Sequence, residues 1–146
     1  MGIGVSRLDP NDIRLAEGII ASAAYPLEVS HELRQDSVQV WMAVDSDPMG
    51  LLVFRVIEDE VHVTDLVTAP LHRRKGVARK LLDELVLRAR TGGLSCIRLA
   101  VNEHNQPANQ LYTSVGFSQV ALVPDYYGPG ASALMMELPL RRTGKP

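Results

Sequence analysis

The 146-residue chain has a single cysteine, Cys96, so no disulfide can form within it. Cys96 stands just before an apolar stretch, where a small buried side chain is its expected role. Long hydrophobic runs are missing as well: none approaches the roughly 18 residues that a membrane-crossing helix needs, which argues against a membrane protein. The segment from Met1 to Arg7 lacks a basic start followed by an apolar stretch, and Asp9-Pro10-Asn11-Asp12 interrupts it. No secretory signal is expected, and the expected location is cytoplasmic. Charge of one sign is not in excess either, with 15 Lys and Arg against 17 Asp and Glu. A net charge of −2 argues against a general nucleic-acid binder, whose phosphate contacts require clustered cations. His31, His72 and His104 are scattered without ligand spacing or a cysteine partner, and no Ser/His/Asp arrangement stands out. Neither a metal site nor a covalent nucleophile is expected.

What is present reads as one α/β domain over residues 1–146, with a core from 3 to 140 and a basic tail, 141–146, expected to fray. Residues 3–8 alternate as a short strand. Residues 12–24 are expected to be helical, with Ile13, Ala16, Ile19, Ile20 and Ala23 on one face and Asn11 as cap. Residues 26–36 suggest a second, weaker helix. Val38–Val44 and Gly50–Ile57 read as strands joined through Asp45-Ser46-Asp47-Pro48. Val61–Thr68 is a further strand with broken alternation, which a β-bulge near Thr64 or Asp65 would restore. Gly76–Arg90 carries the clearest helical stripe and stops at Gly92-Gly93. A buried strand over Ile97–Val101, a helix over Asn105–Val115 with Pro107 in its first turn, and strands at Phe117–Val123 and Ala133–Leu138 complete the chain. The expected architecture is a mixed, mostly antiparallel sheet with helices on both faces.

The junction Arg73-Arg74-Lys75-Gly76-Val77-Ala78 places three cations where a strand ends and the best helix begins. A helix N-terminus exposes unpaired N–H groups and the positive end of the macrodipole, so this is a candidate anion site. Gly76 permits close approach of an anion, and small Ala78 keeps the start of the helix open. Neither Gly-x-Gly-x-x-Gly nor Gly-Lys-Ser/Thr occurs here, so the anion suggested is not a nucleoside triphosphate. A solvated basic turn is the bland alternative.

The run Thr64-Asp-Leu-Val-Thr-Ala-Pro-Leu-His-Arg-Arg-Lys-Gly-Val-Ala78 resembles the Arg/Gln-x-x-Gly-x-Gly/Ala signature of the GNAT superfamily of N-acetyltransferases. A second block, Asn105-Gln-Pro-Ala-Asn-Gln-Leu-Tyr-Thr-Ser-Val-Gly-Phe117, resembles that superfamily's Asn-x-x-Ala-x-x-Leu-Tyr-x-x-x-Gly-Phe. The two blocks match in order and separation, and the similarity runs over residues 38–140. The resemblance implies acetyl-CoA as co-substrate, its pyrophosphate on Arg73, Arg74, Lys75, Gly76, Val77 and Ala78. It also implies a sheet splayed at that site, with pantetheine pairing along Leu66, Val67 and Thr68 and Asn105 near the cofactor. Tyr112 matches the tyrosine that this superfamily often places near the thioester sulfur, where a phenol can protonate a departing thiolate. Its alternative is a core tyrosine.

An incoming amine must lose a proton, and His62 stands where some relatives carry a glutamate or histidine base; imidazole suits the task near pH 7. A partly exposed structural histidine is its alternative, and Glu103 is the rival base. The bacterial ribosomal-protein N-alpha-acetyltransferases are similar to this chain, down to a Tyr-Tyr loop like Tyr126-Tyr127. That branch carries its glutamate base where Ala100 stands here. The expectation is therefore direct acetyl transfer in a ternary complex, to a peptide or protein α-amine, without a metal. A small-molecule amine acetyltransferase and a non-catalytic acyl-CoA-binding domain are the alternatives. No nucleic acid or membrane partner is expected, and a homodimer stays open.

Overall fold

A computed structural model describes residues 2–9, 12–23 and 38–140. The weak helix expected over 26–36, the Asn11 cap and the tail 141–146 lie outside them. The elements run β1 (Gly4–Arg7), α1 (Ile13–Ser22), β2 (Val38–Asp45), β3 (Asp47–Ile57), β4 (Glu60–Thr68), a 3-10 turn (Pro70–His72), α2 (Val77–Thr91), β5 (Cys96–Asn102), α3 (Gln106–Val115), β6 (Ser118–Val123) and β7 (Ala133–Pro139). The seven strands lie in the order β1-β2-β3-β4-β5-β7-β6. Every described ladder is antiparallel except β4–β5, which is parallel. The mixed, mostly antiparallel sheet expected from the sequence is the one found.

The chain divides into two compact units, residues 1–56 with 64–85, and residues 57–63 with 86–146. β4 and α2 therefore each contribute to both. In the first unit, Ala16, Ile19 and Ile20 of α1 join Val38, Val40, Met42, Leu51, Val53 and Val67 in one apolar cluster. Gly50 has the opposite parity to Leu51 and so points to the other face. A Cβ there would lie 2.7 Å from Val77 Cγ1 and 2.8 Å from the Val67 carbonyl oxygen, so α2 packs on that second face. Only a residue without a side chain lets α2 start so close to the sheet. In the second unit Val61, Ile97, Leu99, Val101, Phe117, Met136 and Leu138 are buried. Each fully buried side chain of this size contributes about 1.5–3 kcal/mol over exposure.

Element bounds differ from the sequence expectation most at α1 and at the β2–β3 connection. α1 is shorter, Ile13–Ser22, and its N-cap residue Asp12 makes no side-chain cap bond. The β2–β3 connection is tighter than the four residues expected: Asp45 pairs with Asp47, and the chain reverses at Ser46, whose φ is 65°. The Ser46 hydroxyl donates to the Asp45 carbonyl at 2.6 Å, a local bond of the kind that favours turns. A ladder irregularity falls between Ala43 and Val44 in β2. The bulge expected near Thr64 falls where β4 passes from one unit to the other, beyond the described ladder with β5, which ends at His62↔Arg98.

Candidate functional site

In the first unit, the segment after β4 is shaped by its backbone. Ala69 N–H donates to the Met49 carbonyl at 2.8 Å, tying the end of β4 to β3. Pro70 begins the 3-10 turn in the first-turn position that tolerates a missing donor. Arg74 at φ 65° and Gly76 at φ 77° then bend the chain into α2. Arg73, Arg74, Lys75 and Gly76 are exposed, Val77 is buried and Ala78 is half-buried. The first helical bond closes from Lys80 N–H to the Gly76 carbonyl at 2.9 Å. The N–H groups ahead of it in the first turn have no acceptor within the helix. A residue with a Cβ would be strained at position 76, where φ is 77°, but nothing stands within 4 Å of where that Cβ would go, so the cradle itself is open. Residues of that kind suit a diphosphate: backbone donors, a dipole end and three cations, with Lys75 Nζ 3.4 Å from His72 Nδ1.

Leu66 and Thr68 are half-buried and Val67 is buried. They belong to the part of β4 beyond the described β5 ladder. A groove of about 520 Å³ in the same unit lies between α1, at Leu15, Gly18 and Ile19, and the turn at Ala69–His72. The sequence reading did not anticipate it.

The second unit is built differently, from side-chain bonds. Glu60 and His62 lie two residues apart on β4 and so on one face. His62 Nε2 is 3.2 Å from Glu60 Oε1. A carboxylate there accepts the Nε2 hydrogen, which leaves the ring's lone pair on Nδ1 in the neutral form. Arg98 is paired in register with His62 on one side and with Glu137 on the other. Its Nε donates to Glu137 Oε2 at 2.8 Å, and its Nη2 lies 3.6 Å from Glu60 Oε2. The Arg98 guanidinium is held still more firmly in its charged form, by a hydrogen bond with Cys96 and then by Glu60 and Glu137. His62 therefore belongs to a four-residue polar row. The sequence reading named only His62 of this row; the i, i+2 spacing could have shown Glu60, whereas Arg98 and Glu137 come in from other strands.

Asn105 caps α3, its Oδ1 accepting from Ala108 N–H at 3.2 Å, with Pro in the first turn and Gly116 at φ 121° closing the helix. Tyr112 lies on the inner side of α3, 8% exposed, its ring edge-on to Phe117 at 5.8 Å between centroids. Glu103 sits just before this cap. Its Oε2 accepts from Ser132 N–H at 3.2 Å, and its own N–H donates to the Ser132 carbonyl at 2.9 Å. His104 Nε2 lies 2.9 Å from the Gly130 carbonyl, which fixes that nitrogen as the donor. Tyr126 and Tyr127, in the same β6–β7 loop, meet edge to face at 4.9 Å and are 56% and 47% exposed. Partial burial, aided by Tyr126, pushes the Tyr127 phenol above its ordinary pKa, so it stays a neutral donor. Among the described residues, no group of three His, Cys, Asp or Glu side chains could hold a metal ion. No helix among them is long and apolar enough to cross a membrane.

Three comparisons with known proteins bear on the family of this chain. The chain is 33% identical over 94 residues to a ribosomal protein bS18 alanine N-acetyltransferase of Haemophilus ducreyi, a match covering 62% of this chain and 65% of that one. The chain thus matches just under two thirds of that relative's length. The crystal structure of the ribosomal-protein-S18-alanine N-acetyltransferase from Escherichia coli superposes with a TM-score of 0.89 over 99% of this chain and 97% of that one, at 23% identity. A putative acetyltransferase from Salmonella typhimurium, solved with its cofactor acetyl-CoA, gives a TM-score of 0.79 over 100% and 98%, at 21% identity. Residues 12–117 match the model of the acetyltransferase (GNAT) family, and that span holds both the cation loop before α2 and the capped helix with Tyr112. The chain belongs to the GNAT family of acetyltransferases.

Proposed function

We propose that this acetyltransferase moves an acetyl group from acetyl-CoA to the α-amine of a peptide or protein, by direct attack in a ternary complex. The cradle from Arg73 to Ala78 takes the pyrophosphate of the co-substrate, and the backbone of Leu66–Thr68 pairs with its pantetheine. The amine nitrogen attacks the thioester carbonyl carbon and the C–S bond breaks. His62 Nδ1 accepts the amine proton, and the Tyr112 phenol protonates the leaving thiolate. Glu60 supports the first role by holding the histidine tautomer. Ala100 stands where the ribosomal-protein branch carries its glutamate, so the base has to come from another position, and this reading takes His62 for it.

The observation that carries the peptide reading is the exposed Tyr126–Tyr127 pair in a loop tied to the residues just before α3. Two rings with polar tips give stacking area and hydrogen bonds to an extended chain end. The bS18 relatives named above support the same acceptor class. A proton argument orders the amines. An α-amine of pKa near 8 costs about 1.4 kcal/mol to deprotonate at pH 7, and a lysine amine near 10.4 costs about 4.6. A weak base suits the first.

The test is mass spectrometry of products from a mixed pool of free-N-terminus peptides, N-blocked lysine peptides, polyamines and aminoglycosides. Acetylation is expected first on α-amines. Acetyl groups found only on the small molecules would overturn the peptide reading in favour of a small-molecule acetyltransferase, and no amine-stimulated release of CoA at all would point to a binding domain.

A further inference from the structure

We infer that Glu103 is a positioning residue that holds the β6–β7 loop for the acceptor, an inference that rests on the peptide reading above. The loop from Pro124 to Ser132 is knit within itself. Gly130 N–H donates to Asp125 Oδ1 at 2.8 Å, Asp125 N–H donates to the Ser132 hydroxyl at 3.3 Å, and Tyr127 N–H donates to the Ala131 carbonyl at 3.0 Å. A loop closed on itself still needs an outside anchor to present its tyrosines in one place. Glu103 supplies it twice at Ser132, through backbone N–H to carbonyl and through carboxylate to N–H. His104 adds a second tie at Gly130, two residues earlier.

The anchor is fixed from its other side as well. Asn109 Nδ2, on the first turn of α3, donates to the Glu103 carbonyl at 3.3 Å. Asn105, two residues beyond Glu103, caps the helix that carries Tyr112. The tripeptide Glu103-His104-Asn105 therefore joins the start of α3 to the loop that carries Tyr126 and Tyr127. One carboxylate oxygen of Glu103 is committed to an N–H that no other side chain satisfies among the described bonds. That is the behaviour of a group that holds structure, and it separates Glu103 from His62, whose Nδ1 stays available.

The experiment compares Glu103→Gln, Glu103→Ala and His104→Ala in steady-state kinetics with a free-N-terminus peptide and in amide hydrogen exchange of the loop. Glutamine keeps an oxygen for Ser132 N–H and loses only the charge. Glu103→Ala is expected to raise the peptide KM roughly ten- to a hundredfold, the range for losing a charge-assisted hydrogen bond. The KM for acetyl-CoA should stay within about twofold and kcat within about threefold. Glu103→Gln should restore most of the peptide KM, and His104→Ala should give a smaller rise of the same kind. A kcat lost equally in the glutamine and alanine variants, with peptide KM unchanged, would overturn the inference and make Glu103 the base. So would wild-type peptide KM in both alanine variants. If the wild-type protein acetylates no peptide, the acceptor reading fails. Exchange then decides the anchor: Ser132 N–H should be protected in wild type and Glu103→Gln and should lose protection in Glu103→Ala, and retained protection there overturns it.

Discussion

The cation loop before α2 and the tyrosine loop before β7 are both exposed connections, yet they are held in opposite ways. The first is set by its own backbone: a 3-10 turn, Arg74 and Gly76 at positive φ, and a helix start. Its charged side chains reach solvent. The second is set by side chains from a distant segment, Glu103 and His104, 29 and 26 residues from the atoms they hold. A site made from backbone suits a ligand part that is the same at every turnover, whereas a site hung on side-chain bonds can be retuned by single substitutions without disturbing the fold. Under the proposed function, cofactor affinity and acceptor affinity are then expected to be separable properties of this protein.

The largest expected effect comes from Tyr112→Phe, which removes the phenol and keeps the ring packed against Phe117. The kcat should fall by roughly ten- to a thousandfold while the KM for acetyl-CoA holds, as loss of a general acid does. A KM change alone would assign Tyr112 to the core and weaken the chemistry of the side-chain half. Gly76→Val should show the opposite signature. A β-branched residue at φ 77° costs on the order of 1–3 kcal/mol, and its methyl groups enter an otherwise open cradle. The KM for acetyl-CoA should rise roughly tenfold or more with kcat at saturation kept; calorimetry showing wild-type CoA affinity would remove the cation loop from the site.

His62→Ala sharpens the comparison through pH. A general base must be deprotonated to act, so a low-pH limb of the rate profile that belongs to His62 should vanish in the variant. A limb that persists would move the role to Glu103 or to water. The smallest effect is on stability: Asn105→Ala removes the α3 cap and should lower unfolding free energy by about 1 kcal/mol in urea titration.

Much of the backbone-written half was legible in the sequence, because its signals are contiguous. Three cations, a glycine and a helical stripe within a few residues of one another specify a turn and a helix start wherever the rest of the chain goes. The Asn105 cap, Pro107 and Gly116 were legible for the same reason, since capping chemistry acts over three or four residues. The anchor at Ser132 was not. It depends on the register that sets Asn102 against Ala133 in β5–β7, and no local propensity records which residue will stand opposite another across a sheet. The Arg98–Glu137 pair is hidden for that reason too, at 39 residues' separation. The Ser46 reversal was missed because serine is an uncommon choice at positive φ, and a four-residue connection was the simpler expectation. The groove beside α1 was missed because it arises from packing rather than from any pattern along the chain.

Cys96 is the one sulfhydryl of the chain, and it is buried at 7% exposure on β5. The reaction proposed for this protein releases a thiol at every turnover. A sulfur-reactive chromophore reacts with exposed thiolates and spares a buried thiol, so liberated CoA should be the fast signal and the polypeptide a slow, stoichiometric background. With its one thiol buried and no second cysteine inside the chain to pair with, turnover can be followed in real time in the reductant-free buffer that such a reagent demands.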